Sequence, residues 1–332
     1  MKPILVIVHV YYMNLWNELK GYLKSIKCPY DLYVTTSVDD TELKNDILNF
    51  NQDAHVVLCE NLGYDIWPFV HVINGIDLDK YSYIIKLHTK RDIKIGDTEF
   101  RELDGAKWRD ALLSFLKSPA TFQKYLDAFE LNPHIGIQNN CKVIVKHDFY
   151  DKIARRNTKK WILEHGLPNI KFSFVGGTMF IARASIFKDL QLLNIASSNF
   201  EKTSEKHNGQ FAHIVERLFG YLAYKNNFIV SDGNLTEAQN LRYQRIVCLK
   251  RILRFFFFKK ITRRGWLLIK ICKIPIPVDV EHEDNNVKYR IHKIPLTVFE
   301  VENKKDKRIY KIFGIPCFFK NIGFKHIICI WM

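Results

Sequence analysis

Over the first ninety residues, short unbroken apolar runs alternate with segments whose apolar residues recur every three or four positions. Pro3 to Val10 is a continuous apolar run, the pattern of a strand buried on both faces. Asn14 to Ile26 carries apolar residues at 15, 16, 19, 22, 23 and 26, the spacing of one helix face. Next come a strand from Asp31 to Thr35 and a helix from Thr41 to Phe50, with Thr41 as its cap. A strand from Ala54 to Cys59, a helix from Trp67 to Asn74 with Pro68 in its first turn, and a strand from Tyr83 to Leu87 complete the series. Such alternation predicts an α/β domain around a mostly parallel sheet, with ligands bound beyond the carboxyl ends of the strands.

The second half is more mixed. Helical spacing covers Lys107 to Leu116, Thr121 to Leu131 and Ala212 to Lys225, and short strands are expected at Ile135 to Gln138 and Phe228 to Val230. Phe174 to Arg183 reads as one strand broken by Gly176-Gly177. Beyond residue 241 the pattern changes. Val247 to Ile271 mixes Phe255 to Phe258, Trp266 and Leu267-Leu268 with Lys and Arg. Ile-Pro then recurs at 274–275, 294–295 and 315–316, with basic, β-prone stretches between, which predicts short strand-and-turn units outside the α/β core.

Charge sharpens this division into residues 1–241 and 242–332. Of the net +15 over 332 residues, Arg242 to Met332 holds 21 Lys or Arg against 7 Asp or Glu. The body before it holds 29 against 28, so a nearly neutral domain carries a strongly basic end. The seven cysteines are scattered, odd in number and without a CxxC pair, which suits free thiols in a reducing compartment. The apolar opening run is too short for a signal peptide, and no apolar run approaches the ~18–20 residues that span a bilayer.

Polar clusters punctuate the strand ends. In order they are Val8-His9-Val10-Tyr11-Tyr12 with Asp31 to Thr36; Glu60-Asn61-Leu62-Gly63-Tyr64-Asp65-Ile66-Trp67-Pro68-Phe69; Lys86-Leu87-His88-Thr89-Lys90 followed by Trp108-Arg109; and Val175 to Arg183 followed by Glu216-Arg217-Leu218-Phe219. Taken one at a time, each has an ordinary structural reading. Asp39-Asp40 suits a turn and helix cap, and Asn61 to Asp65 an Asx turn capping the next helix. His88-Thr89-Lys90 suits a solvated strand end, Gly176-Gly177 a bulge, and Glu216-Arg217 a surface pair. As an ordered set over roughly residues 4 to 230, they resemble the rhamnan synthesis F family.

That resemblance implies a GT-A-like, Rossmann-like nucleotide-sugar-binding domain. It would be an inverting glycosyltransferase moving rhamnose or a similar sugar onto a growing cell-surface polysaccharide or lipopolysaccharide glycan. The implied donor-side residues are His9, Thr35, Asp39, Asp40, Asn61, Gly63, His88, Lys90 and Arg109. On the acceptor side are Trp108, Gly177, Thr178 and Arg183, and Glu216 is the candidate base with Asp65 and His213 as alternatives. Many GT-A enzymes end the fourth strand with a metal-holding Asp-x-Asp. Here His88-Thr89-Lys90 stands in its place. Lysine and arginine neutralise phosphate directly, and His88 can donate a hydrogen bond or ligate a metal, so the nucleotide sugar is expected as co-substrate, with no dedicated metal ligands and with a divalent metal not essential.

The basic end interleaves Lys and Arg with Phe, Trp and Ile, which suits an anionic membrane surface better than a disordered tail. Nucleic acid is not an expected partner, because no helix-turn-helix, zinc or RNP-like motif accompanies the charge. The expected location is cytoplasmic and peripheral on the inner membrane face, beside a lipid-linked or glycan acceptor. A non-catalytic nucleotide-sugar- or glycan-binding scaffold of the assembly machinery is the alternative function.

Overall fold

The computed structural model describes residues 2–91, 106–149, 152–202 and 210–232, and seven strands between 258 and 317. The chain divides into two compact units, Met1–Gln244 and Arg245–Met332.

The first unit is built on a seven-stranded, mostly parallel sheet. Strands β1 (Ile4–Val10), β2 (Tyr30–Thr36), β3 (His55–Leu58) and β4 (Tyr83–His88) run parallel in the order β3-β2-β1-β4. Helices α1 (Trp16–Leu23), α2 (Thr41–Phe50) and α3 (Ile66–Asn74) make the crossovers between them. Every residue of β1 is buried, as its unbroken apolar run requires of a strand flanked and covered on all sides. The chain steps outward from β1 to β3 and then returns to the other flank of β1 with β4. The β1–β4 junction is therefore a topological switch point.

Beyond β4 the sheet continues through β8 (Phe180–Arg183), β5 (Ile135–Gln138) and β9 (Ile229–Ser231). β8 is antiparallel to both β4 and β5, and β9 is parallel to β5. A two-stranded ribbon of β6 (Ile144–Lys146) and β7 (Ser173–Val175) lies apart from this sheet. Helices α4 (Ala106–Leu113), α5 (Pro119–Leu131), α6 (Lys152–Glu164), α7 (Lys188–Leu192) and α8 (Phe211–Lys225) complete the described elements. Phe69 of α3, Phe180 of β8, Phe187 just before α7 and Phe219 of α8 pack with ring centroids 5.3–6.2 Å apart and join these elements across one face of the sheet.

Several local expectations are corrected. The first helix opens with a 3-10 turn at Met13–Leu15 and ends at Leu23 rather than Ile26. Asp40, not Thr41, caps α2, accepting a hydrogen bond from the Leu43 N–H at 2.8 Å. A carboxylate there also favours the positive end of the helix. Phe174 to Arg183 is not one broken strand. Its halves belong to different sheets, because Gly177 at φ 93° and Thr178 at φ 51° turn the chain through the left-handed region between them. The amphipathic helix α6 and strand β6 were not expected, since only Ala154, Thr158 and Ile162 of α6 are buried and its basic content masks the pattern.

The second unit is an antiparallel sheet whose seven strands pair in chain order: β10 (Phe258–Arg263), β11 (Trp266–Ile271), β12 (Ile274–Glu283), β13 (Asn286–Ile291), β14 (Thr297–Lys304), β15 (Lys307–Ile312) and β16 (Ile315–Cys317). The Ile-Pro repeat has a structural counterpart here. Ile271 pairs with Ile274 and Lys270 with Pro275, just as Ile312 pairs with Ile315 and Lys311 with Pro316. Ile274-Pro275 and Ile315-Pro316 thus open the return strands of their antiparallel pairs, where proline is tolerated near a strand start. Residues 294–295 lie outside the described residues. Arg290 and Glu281 form an ion pair at 3.0 Å across β12 and β13. Among the described residues no helix is long and apolar enough to cross a membrane.

Candidate functional site

The carboxyl ends of the central strands gather the polar side chains. Thr35, His9 and His88 are register partners across β2, β1 and β4, so they form a row on one face of the sheet. His9 Nδ1 lies 3.0 Å from Thr35 Oγ1. Thr89 seals the switch point. Its N–H donates to the His9 carbonyl at 2.9 Å, and its hydroxyl accepts the Tyr11 and Tyr12 N–H groups at 3.0 and 2.9 Å.

Two residues back from His88, on the same face, is Lys86. It is 1% exposed, in the middle of an otherwise apolar strand. Its ammonium donates to an Asp65 carboxylate oxygen and, at 3.0 Å, to Thr178 Oγ1, and it lies 5.4 Å from the Phe69 ring centre. The Thr178 hydroxyl donates to the same Asp65 oxygen, and His88 Nδ1 stands 3.4 Å from it. Asp65 occupies the cap position of α3 without capping it, because its carboxylate turns inward to Lys86. Both loops that meet here are left-handed: Gly63 and Tyr64 have φ 56° and 58°, and Gly177 and Thr178 have φ 93° and 51°. Non-glycine residues in this region store strain that the Lys86–Asp65–Thr178 contacts must hold. A Cβ on Gly63 would sit 2.3 Å from the Phe200 ring, so this glycine serves packing as well as conformation.

Glu216, on α8, accepts the Gly177 N–H at 3.0 Å. Its neighbour Arg217 is fully buried, 3.6 Å from Glu216, and donates to the His213 carbonyl at 2.6 Å. The surface-pair reading of Glu216-Arg217 is therefore wrong, since a buried arginine has to be held by acceptors and rings. Its guanidinium also lies 5.0 Å from the centre of the Phe174 ring. Lys90 stacks on Trp108 with its ammonium 4.1 Å from a ring centre, and Trp108 in turn lies where a Cβ on Gly177 would be, at 3.2 Å.

Asp65, His9, Thr35, His88, Lys90, Trp108, Gly177, Thr178 and Glu216 thus belong to one connected region, with His213 one helical turn before Glu216 and edge-on to Tyr64 at 6.1 Å. Other sequence candidates have separate work. Asp40 is spent on its helix cap, and Asp39 and Asn61 are exposed. Arg109 pairs with Glu18 at 2.9 Å and donates to the Lys90 carbonyl at 3.2 Å, which fixes the Lys90 loop. Arg183 pairs in register with Tyr83, at the opposite end of β4, and donates to the Ile135 and Phe129 carbonyls at 2.7 Å. Lys86, Thr89 and Arg217 were missed as site residues. For Lys86 the signal was present: a lysine inside a doubly buried strand needs a buried anion.

Burial dominates the electrostatics. It pulls His9 down to about 4 and His88 down to about 3, against the raising charge of Asp65, so both imidazoles are neutral near pH 7. Burial alone would raise the Asp65 carboxyl. The charges of His88 and Lys86, with hydrogen bonds from Lys86 and Thr178, outweigh it and hold the group far below the usual carboxylate range. Burial also lowers Lys86 and Lys90, with Asp65 and Glu216 opposing. His147, stacked on Phe172, is likewise lowered to about 4 by burial and then by Arg217.

These shifts share one sign for stability. A base whose folded pKa is depressed binds its proton in the unfolded chain first, so stability falls as pH drops below the unfolded histidine value. For His9, His88 and His147 that window runs from 6.5 down to about 4, 3 and 4 respectively. Each costs up to roughly 1.4 kcal/mol per pH unit there, and Asp65 adds its loss at lower pH. Denaturant midpoints measured from pH 7 to pH 5 are expected to fall steadily. A flat profile would contradict the buried neutral imidazoles.

The rhamnan synthesis protein F family profile matches residues 1–228, the stretch that contains every element of the site. The chain belongs to the rhamnan synthesis protein F family. Two relatives, each named "Uncharacterized protein WxcX", come from strains of Xanthomonas campestris pv. campestris. Each is 26% identical over 256 residues, covering 72% of this chain. The chain spans 35% of the length of these relatives.

Proposed function

We propose that the amino-terminal unit is a GT-A-like glycosyltransferase domain that moves a sugar, rhamnose or a similar hexose, from a nucleotide-sugar donor to a growing cell-surface glycan. The carrying observation is the convergence of Lys86, His88 and Lys90 with the carboxylate of Glu216 at the carboxyl ends of the central strands, beside the switch point. In this reading the diphosphate lies over His88 and against Lys90. A lysine whose charge is penalised by burial gains most from an incoming dianion. The acceptor hydroxyl oxygen attacks the anomeric carbon, the carbon–oxygen bond to phosphate breaks, and the nucleoside diphosphate leaves with the bonding pair. Glu216 takes the acceptor proton. Asp65 is ranked below it as base, because Lys86 and Thr178 already occupy its carboxylate and hold it ionised.

The donor set suits a metal poorly. Hard divalent cations take several oxygen ligands, whereas the strand end offers lysines, a neutral imidazole and the Asp65 carboxylate already held by Lys86. The partners in this reading are the nucleotide sugar, a lipid-linked or glycan acceptor and an anionic membrane surface met by residues 242–332, on the cytoplasmic side. A screen of nucleotide-sugar donors with purified protein, with and without chelator, tests the reading. One donor turned over at a rate the chelator leaves within about twofold is the expected result. Hydrolysis or transfer abolished by chelator would reject cation-only handling of the diphosphate, and no turnover with any donor would reject the enzyme.

A further inference from the structure

Helix α6 presents a surface with no role in the site. It holds Lys152, Arg155, Arg156, Lys159 and Lys160 within thirteen residues, with Glu164 its one acidic residue. Its buried side is Ala154, Thr158 and Ile162, and Arg155 is bound to the Asp148 carbonyl. At 3.6 residues per turn, Lys152, Ile153, Arg156, Lys159, Lys160, Leu163 and Glu164 fall within an arc of about 140° on the opposite side. All seven are exposed.

Two of them are aliphatic and far from buried: Ile153 is 54% and Leu163 53% exposed. A single exposed leucine needs no explanation. Here the two aliphatics lie on the same outward arc as four cations, about 15 Å apart along the axis. Glu164 is engaged by Lys160 at 3.5 Å, so the arc keeps a net positive charge. A soluble polyanion would use the cations and leave Ile153 and Leu163 in water. A bilayer containing anionic lipid uses both, burying the aliphatics among the headgroups while the cations meet the phosphates.

We infer that the outward face of α6 is a membrane-docking surface for anionic lipid, separate from any contact made by residues 242–332. The face belongs to the amino-terminal unit itself. α6 packs on α8, with Trp161 and Phe211 ring centroids 6.2 Å apart, and α8 carries Glu216. Packed helices lie about 8–10 Å apart, so docking α6 brings the candidate base to within a few helix widths of the headgroups. That is the distance a lipid-borne acceptor would need to reach. The inference does not depend on turnover.

The test uses the full chain, so that residues 242–332 contribute equally to every sample. Sedimentation with vesicles of mixed phosphatidylcholine and phosphatidylglycerol is compared with vesicles of phosphatidylcholine alone, and with binding to heparin. Replacing three cations (R156Q/K159Q/K160Q) is expected to weaken partitioning to the mixed vesicles on the order of 100-fold. The variant I153S/L163S, with charge intact, is expected to lose about tenfold on vesicles and nothing on heparin. Thermal melts of both variants check that the exposed positions leave the fold intact. Wild-type partitioning in both variants overturns the inference. So does an I153S/L163S variant that binds vesicles normally while the cation variant loses heparin and vesicles alike, which would mark a polyanion surface. Absence of wild-type binding to the mixed vesicles also overturns it.

Discussion

Replacing Glu216 with Gln is expected to lower kcat by about 10²–10⁴-fold while leaving donor affinity nearly unchanged. The substitution is conservative where structure is concerned. The glutamine carbonyl still accepts the Gly177 N–H that the carboxylate accepts at 3.0 Å, so the left-handed Gly177-Thr178 turn keeps its anchor. What is lost is the site for the acceptor proton. Steady-state turnover with the identified donor, set beside donor binding by calorimetry, separates the possibilities. Loss of turnover with retained binding supports Glu216 as the base. Unchanged polymer synthesis removes it from the mechanism and favours a scaffold that binds nucleotide sugar or glycan without acting on it.

The second large effect concerns Lys86. Lys86→Met removes the cation that faces Asp65 in a nearly closed site and leaves the carboxylate with Thr178 and a neutral imidazole. Breaking a buried pair from one side costs about 3–5 kcal/mol, and denaturant unfolding should read a loss of that size. The double variant Asp65→Asn, Lys86→Met should lose clearly less than the sum of the two single changes, because the uncompensated charge is gone. His88 offers a second readout. Lys86 lowers its pKa and Asp65 raises it, so losing Lys86 alone should move the imidazole upward from about 3 in an NMR titration. Additive stabilities with an unmoved His88 would mean that the triad is not a coupled unit.

This coupling explains how the site is built. β4 contributes Lys86 and His88, the segment just past its end contributes Lys90, the cap position of α3 contributes Asp65, and the turn before β8 contributes Thr178. The four-phenylalanine cluster clamps α3 and α8 against β8 of the sheet, which sets the separation of Asp65, Thr178 and Glu216. Remote packing changes in that cluster therefore act on the site through the Lys86 ammonium.

Much of the architecture was legible in the chain. The apolar run of β1 and the helical spacings that follow each define an element with one dominant period, and such elements alternate only in a layered α/β fold. Helix caps were less legible, since Asp40 and Thr41 are both good caps and the choice depends on where the chain turns. The course of residues 174 to 183 was not legible, because an apolar run does not say which sheet each half joins.

The same division holds at the site. Local pattern alone determined that polar clusters follow the strands, that the fourth strand ends in His-Thr-Lys, and that the excess charge lies beyond residue 241. The convergence of those clusters was decided by tertiary structure. Asp65 and Thr178 are 113 residues apart in sequence and Lys86 and Thr178 are 92, and no periodicity encodes such pairings. The chain names Lys86 as a lysine in an apolar strand, but its charge becomes tolerable only once α3 and the turn before β8 bring a carboxylate and a hydroxyl to it. Desolvation is a property of the packed whole, which is why the neutral histidines and the ionised Asp65 belong to the fold and not to the sequence.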